Sequence, residues 1–161
     1  MKKTLLALVA AAALPAIAAP NPYHNEDLKE IEFTTADHNV RCQGDRAPDP
    51  AVSDDEGFKG VECSVYSGNG VPPALPELPA PADCDFDSLT VFTVKGTDSA
   101  KRFAACTSDT YYNLSESVPT LPPGETVQGD GWQCTSSKTG LRCENNDKHG
   151  FDLSLSRQEL F

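Results

Sequence analysis

Six cysteines, at positions 42, 63, 84, 106, 134 and 143, constrain this chain more than any other feature. Their meaning depends on the compartment, and the first residues speak to that. They read "MKKTLLALVAAAALPAIAAPNP": two lysines, an apolar run from Thr4 to Leu14, a proline, then small residues at 16–18. This is the pattern of a Sec-type secretory signal peptide, residues 1–18, with cleavage expected after Ala18. The apolar run is too short to cross a hydrocarbon core, which needs about 20 residues. No cysteine precedes Cys42, so there is no lipobox and no lipid anchor is expected. The expected location is the bacterial periplasm or the medium, without a transmembrane segment. In that setting an even cysteine count reads as a disulfide framework. Sequence order favours neighbour pairing, 42–63, 84–106 and 134–143, among the many arrangements that six thiols allow. Each such loop closure stabilises by about 3 kcal/mol in the chain-entropy view, a large share of a small domain's net stability of about 5–15 kcal/mol.

Charge narrows the partners. Thirteen basic residues face 24 acidic ones, a formal net charge of −11. The leader carries two of the basic residues and no acidic one, so its removal makes the protein more acidic still. Nucleic acids and anionic membranes require a basic footprint and are disfavoured. A basic partner is permitted.

The chain behind the leader reads as one small all-β domain, residues 31–161, after a flexible polar tail at 19–30. "EIEFTT" alternates as a strand does, and "NVRCQ" follows a turn at Asp37-His38-Asn39, where asparagine tolerates the left-handed region. The acidic stretch 44–60 lacks periodicity and reads as an exposed loop. "GVECSVYS" places Val61, Cys63 and Val65 on one face. A proline-rich connector at 71–82 should run extended, because proline fixes φ and removes donors. "FDSLTVFTVKG" is the strongest strand, β-branched and aromatic up to Gly96. "AKRFAACTSD" suits a strand or a helical turn, and "ETVQGDGWQC", "GLRCEN" and "GFDLSLS" are further short strands. No helical periodicity of any length occurs. The expectation is seven or eight short antiparallel strands, disulfide-stapled. One echo stands out: "FTTADHNVRC" (33–42) aligns without gaps with "CTSSKTGLRC" (134–143).

Chemistry-bearing motifs are few. A zinc site usually needs close ligand pairs, and the tightest cysteine spacing here, 134 to 143, is that of facing residues in a hairpin whose turn centres on Lys138-Thr139. Gly140 is expected to supply a positive φ to that turn. Asp83, Asp85 and Asp87 resemble half a calcium loop, but Ser88 and Val94 stand where glycine and glutamate would complete it. Neither a metal nor another cofactor is expected. His149, with Asp147 two residues before it and Asp109 elsewhere, is the candidate ligand or catalytic group. No accompanying nucleophile motif is visible.

Several elements together resemble a family of secreted or periplasmic bacterial proteins classed as a domain of unknown function. They are "FTTADHNVRC", "GVECSV", "CTSDT", "LPPGE" and the closing "CTSSKTGLRCENNDKHGFDLSLSR". The likeness spans about residues 33–161. It implies export, disulfides and a small β-rich domain, and it transfers no activity. The acidic insertion and the proline run depart from the family pattern.

The functional expectation is an exported, non-enzymatic, monomeric domain that binds a protein or envelope component. Two other classes remain open: an acidic inhibitor of a basic hydrolase such as lysozyme, and a hydrolase using His149 with Asp147 or Asp109. The exported protein is expected to contain no free thiol. Alkylation followed by mass spectrometry tests this, and a cysteine labelled in most molecules would refute it.

Overall fold

A computed structural model describes residues 21–25, 30–66, 78–85, 87–106 and 118–161. The leader, residues 72–77 of the proline run and Asp109 lie outside the described residues. Twelve strands occur within them. The first six are β1 (His24–Asn25), β2 (Glu30–Thr35), β3 (Val40–Arg46), β4 (Val61–Val65), β5 (Ser88–Val94) and β6 (Lys101–Cys106). The second six are β7 (Thr120–Leu121), β8 (Thr126–Gly129), β9 (Trp132–Ser136), β10 (Leu141–Asn145), β11 (Gly150–Leu153) and β12 (Gln158–Leu160). The protein is all-β with no helix among the described residues, and hence none long and apolar enough to cross a membrane.

Two sheets follow the chain order. The first runs β1-β2-β3-β4-β5-β6, with β7 added to β2; the second runs β12-β11-β10-β9-β8. The count exceeds seven or eight because β1, β7 and β12 are only two or three residues long. Strands that short are fixed by backbone pairing and leave no periodic signal. All pairings are antiparallel except β2 with β7. Of "AKRFAACTSD", residues 101–106 form the strand β6, and residues 107–109 lie outside the described residues. Residues read as a polar tail take part too: Tyr23 joins the core edge-on to Phe33, and His24–Asn25 pairs with Glu30–Ile31.

Alternation explains the core. Ile31 and Phe33 on β2, Val40 and Cys42 on β3, Val61 and Cys63 on β4, and Phe92 and Val94 on β5 enter one cluster with Trp132, Cys134, Leu141, Cys143, Phe151 and Leu153 of the second sheet. Phe92 and Phe151 meet across the interface at 6.1 Å between ring centroids. Cys42 and Cys63 oppose each other on β3 and β4 with Cα atoms 4.1 Å apart. Cys134 and Cys143 do the same on β9 and β10 at 4.0 Å. Both pairs are disulfide-bonded, as are Cys84 and Cys106, and no cysteine is free. The decapeptide echo is an echo of register: Phe33 faces Cys42 and Thr34 faces Arg41, as Cys134 faces Cys143 and Thr135 faces Arg142.

Three local readings are corrected. In the β2–β3 turn the left-handed residue is His38 (φ 55°), not Asn39. Asp37 organises this turn, accepting bonds from Thr35 Oγ1, Asn39 N and Asn39 Nδ2. Burial opposes its charge, but those bonds prevail and lower its pKa. Gly140 is not among the residues with positive φ. It is glycine because a Cβ there would collide with the Leu153 carbonyl. The stretch 44–60 is not a featureless loop: β3 extends through Arg46, which bridges Phe58. Arg46 forks onto Asp55 at 2.7 and 3.0 Å, and Asp55 also accepts from the amides of Asp49 and Gly57. Arg46 and those amides hold the Asp55 carboxyl far below its usual range.

The other face of β2–β4 is polar and buried. Glu30, Glu32, Arg41, Gln43 and Ser64 are each under a tenth exposed. Glu32 lies 3.5 Å from Arg41, and Glu30 stands opposite Arg46 in register. Glu30 Oε1 has no hydrogen-bond partner among the described residues. Burial, then the neighbouring Glu32, push the Glu30 carboxyl up to about 7, against the pull of Arg46 and Arg41. A raised folded pKa means that folding favours the protonated form. This group therefore stabilises most below about pH 4.5, and that stability is lost as pH rises through about 7. The loss should total about 3–4 kcal/mol. Glu30→Gln should remove this slope and raise the thermal midpoint at pH 8 relative to the parent. Melting curves at pH 5 and pH 8 decide it; equal slopes in the two proteins would refute the assignment.

Candidate functional site

The five strands of the second sheet present one outer face. On β9 the pattern is Trp132 in, Gln133 out, Cys134 in, Thr135 out; on β10 it is Leu141 in, Arg142 out, Cys143 in, Glu144 partly out. Strand pairing aligns these residues in cross-strand rows. Thr126, Thr135, Arg142, Asp152 and Glu159 form one row; Gln128, Gln133 and Glu144 form the next. Several neighbours in the rows are bonded. Thr126 and Thr135 hydroxyls lie 2.9 Å apart, Gln133 Nε2 donates to Glu144 Oε1 at 3.1 Å, and Lys148 Nζ donates to the same oxygen at 2.7 Å. Arg157 reaches Asp152 at 3.3 Å and Glu159 at 2.8 Å. The Lys148 ammonium holds the Glu144 carboxyl below its usual range.

Phe161 shapes the middle of this face. It exchanges backbone hydrogen bonds with Gly150, where a Cβ would strike the Cys143 carbonyl first and the Phe161 ring next. The Arg142 guanidinium lies over that ring, 3.8 Å from its centroid, a cation–π contact that restrains a long, half-exposed side chain. Each row lines a hollow of its own, one toward either end of the strands. One, about 420 Å³, lies between the 137–140 turn and the 154–157 loop, and its lining includes Thr135, Ser137, Thr139, Arg142, Asp152, Ser156 and Arg157. The other, about 230 Å³, lies at the opposite turns and is lined by Gln128, Gln133, Glu144, Asn146 and Lys148 among others.

The residues singled out from sequence sit differently. Asp147 and His149 share the β10–β11 turn, and both backbone amides donate to Asn145 Oδ1, at 3.1 and 3.0 Å. His149 also returns its carbonyl to the Asn145 amide, and Lys148 takes a left-handed φ of 68° between the two. Asp109 lies outside the described residues. Asp83, Asp85 and Asp87 precede β5 rather than sharing a strand face. Among the described residues no three His, Cys, Asp or Glu side chains are grouped to hold a metal.

Two residues that sequence reasoning passed over organise this region. Asn145, buried, accepts those two amides and donates to the Asp98 carbonyl of the first sheet at 2.8 Å. Asp45 accepts from Gly60 N, Trp132 Nε1 and Asp130 N at 2.8, 3.0 and 2.6 Å, linking the sheets. Trp132 fits because Gly44 and Gly129 flank it; a Cβ on either would strike its ring. The chain's one tryptophan, directly after "GDG", was the available signal.

Residues 4–161 match a family of unknown function, DUF6636, and the chain belongs to that family. No curated protein and no solved structure matches the chain.

Asn145→Ala should cost about 2–3 kcal/mol, because it strips partners from buried groups. His149→Ala should cost less than about 1 kcal/mol, since its backbone bonds survive. Chemical denaturation of both variants checks the order; a larger loss for His149→Ala would reverse the assignment.

Proposed function

We propose that this family member is an exported, non-enzymatic domain that binds a component of the cell envelope or the surrounding medium through the outer face of β8–β12. The observation that carries the reading is the pair of cross-strand polar rows, bonded at Thr126–Thr135 and Gln133–Glu144, each lining a hollow. A disulfide-stapled sheet beneath holds those side chains in place, and pre-organised side chains lose less freedom on binding. Three disulfides and the absence, among the described residues, of a helix able to cross a membrane support export. Loops and strand faces on a rigid β scaffold are suited to recognition, and fold alone assigns no chemistry. The hydrolase reading gains no support from this turn, where the bonds of Asp147 and His149 to Asn145 run through their backbone amides. The inhibitor reading rests on net charge.

Sedimentation with washed cell-envelope material tests the proposal. The domain without its leader should co-sediment, and the double variant Gln133→Ala/Arg142→Ala should be retained at least about tenfold less with an unchanged thermal midpoint. Equal retention of parent and variant, or none of either, would overturn it.

A further inference from the structure

We infer that the ligand of this face is an uncharged, hydroxyl-rich oligosaccharide lying along β9 and β10. The inference rests on the proposed binding face and adds the ligand's chemical class. Three arguments carry it.

The first is charge. Three cations on this face, Arg142, Lys148 and Arg157, are matched by three carboxylates, Glu144, Asp152 and Glu159, each within 4 Å of a cation. A polyanion would displace these pairs and approach a chain of net charge −11. A polycation would meet half-neutralised carboxylates, so neither sign of ligand is favoured. The second is polarity. A protein partner wants an apolar centre with aromatic anchors. Here the strand positions facing out are hydroxyl, amide, carboxylate and guanidinium groups, Trp132 faces the core, and Phe161, 38% exposed, is covered on one side by the Arg142 guanidinium. The third is shape and bonding capacity. Carboxylates accept and guanidinium and amide groups donate from planar groups, which suits vicinal hydroxyls that both donate and accept. One hollow is lined by the pair Gln133–Glu144 and the other by the pair Thr135–Arg142, which are adjacent outward-facing pairs along the same two strands. They thus form the ends of one track rather than two separate sites. A solvated strand face would present the same residue types, but it has no need of the stacked, sheet-spanning Arg142 or of hollows at both ends.

Titration of the isotopically labelled full domain, followed by amide NMR, tests this. The probes are the tetrasaccharide of glucose and that of N-acetylglucosamine, with inorganic phosphate as the anionic control. At least one sugar should give saturable shifts confined to β8–β11 and the adjoining turns, with Kd of about 0.1–1 mM. Arg142→Ala should weaken binding about tenfold or more, and Glu144→Gln should weaken it less, because the amide still bonds to hydroxyls. Phosphate should leave the face unshifted. No saturable shift with either sugar at about 10 mM, shifts outside the face, or tighter binding of phosphate would overturn the inference. If the sugars fail while Gln133→Ala/Arg142→Ala still abolishes envelope retention, the ligand class is wrong and the face stands. If that variant is retained normally, both readings fall.

Discussion

The carboxylate of Asp45 is the contact on which the arrangement of the two sheets depends. Its two oxygens accept three N–H bonds: one from Gly60 at the entry to β4, one from Asp130 in the β8–β9 turn and one from the indole of Trp132. A buried indole N–H without a partner costs stability, so the position of Trp132 in the core is tied to the position of β3. Gly129 is part of the same device, because a side chain there would meet the Asp45 oxygen. Asn145 repeats the logic nearby by reaching the Asp98 carbonyl. Apolar area drives the sheets together. Polar bonds of this kind select one alignment among the many that hydrophobic contact alone would tolerate.

Much of this was readable from the chain. β5 announced itself through "SLTVFTV", and β9 and β10 through alternation around Cys134 and Cys143. What was hidden has physical reasons. Two-residue strands exist through backbone bonds to a neighbour, and sequence periodicity says nothing about them. "EIEFTT" alternates correctly, yet both of its faces are buried. Alternation distinguishes two faces and cannot tell which of them meets water. The roles of Asp45 and Asn145 depend on partners 87 and 47 residues distant. His149 attracted notice as a titratable group, whereas the turn around it is built by the amide side chain of Asn145.

The same limits apply to the outer face of β8–β12. Its residues, taken singly, are the ordinary polar side of an amphipathic sheet. Only the pairing register brings Thr126, Thr135, Arg142, Asp152 and Glu159 into one line. Only the return of β12 lays Phe161 against a bare Gly150. A face of this kind is composed by topology, which is why no short motif marked it.

The three disulfides also set what the molecule can resist. Cys42–Cys63 and Cys84–Cys106 close loops within residues 42–106, and Cys134–Cys143 closes one within the second sheet. None bridges the two sheets. Each sheet is therefore covalently reinforced against unravelling, while the seam between them is held by packing and a few polar bonds. Parting the sheets along that seam would break no cystine, and it would wet the two core faces while leaving each cross-linked strand pair closed.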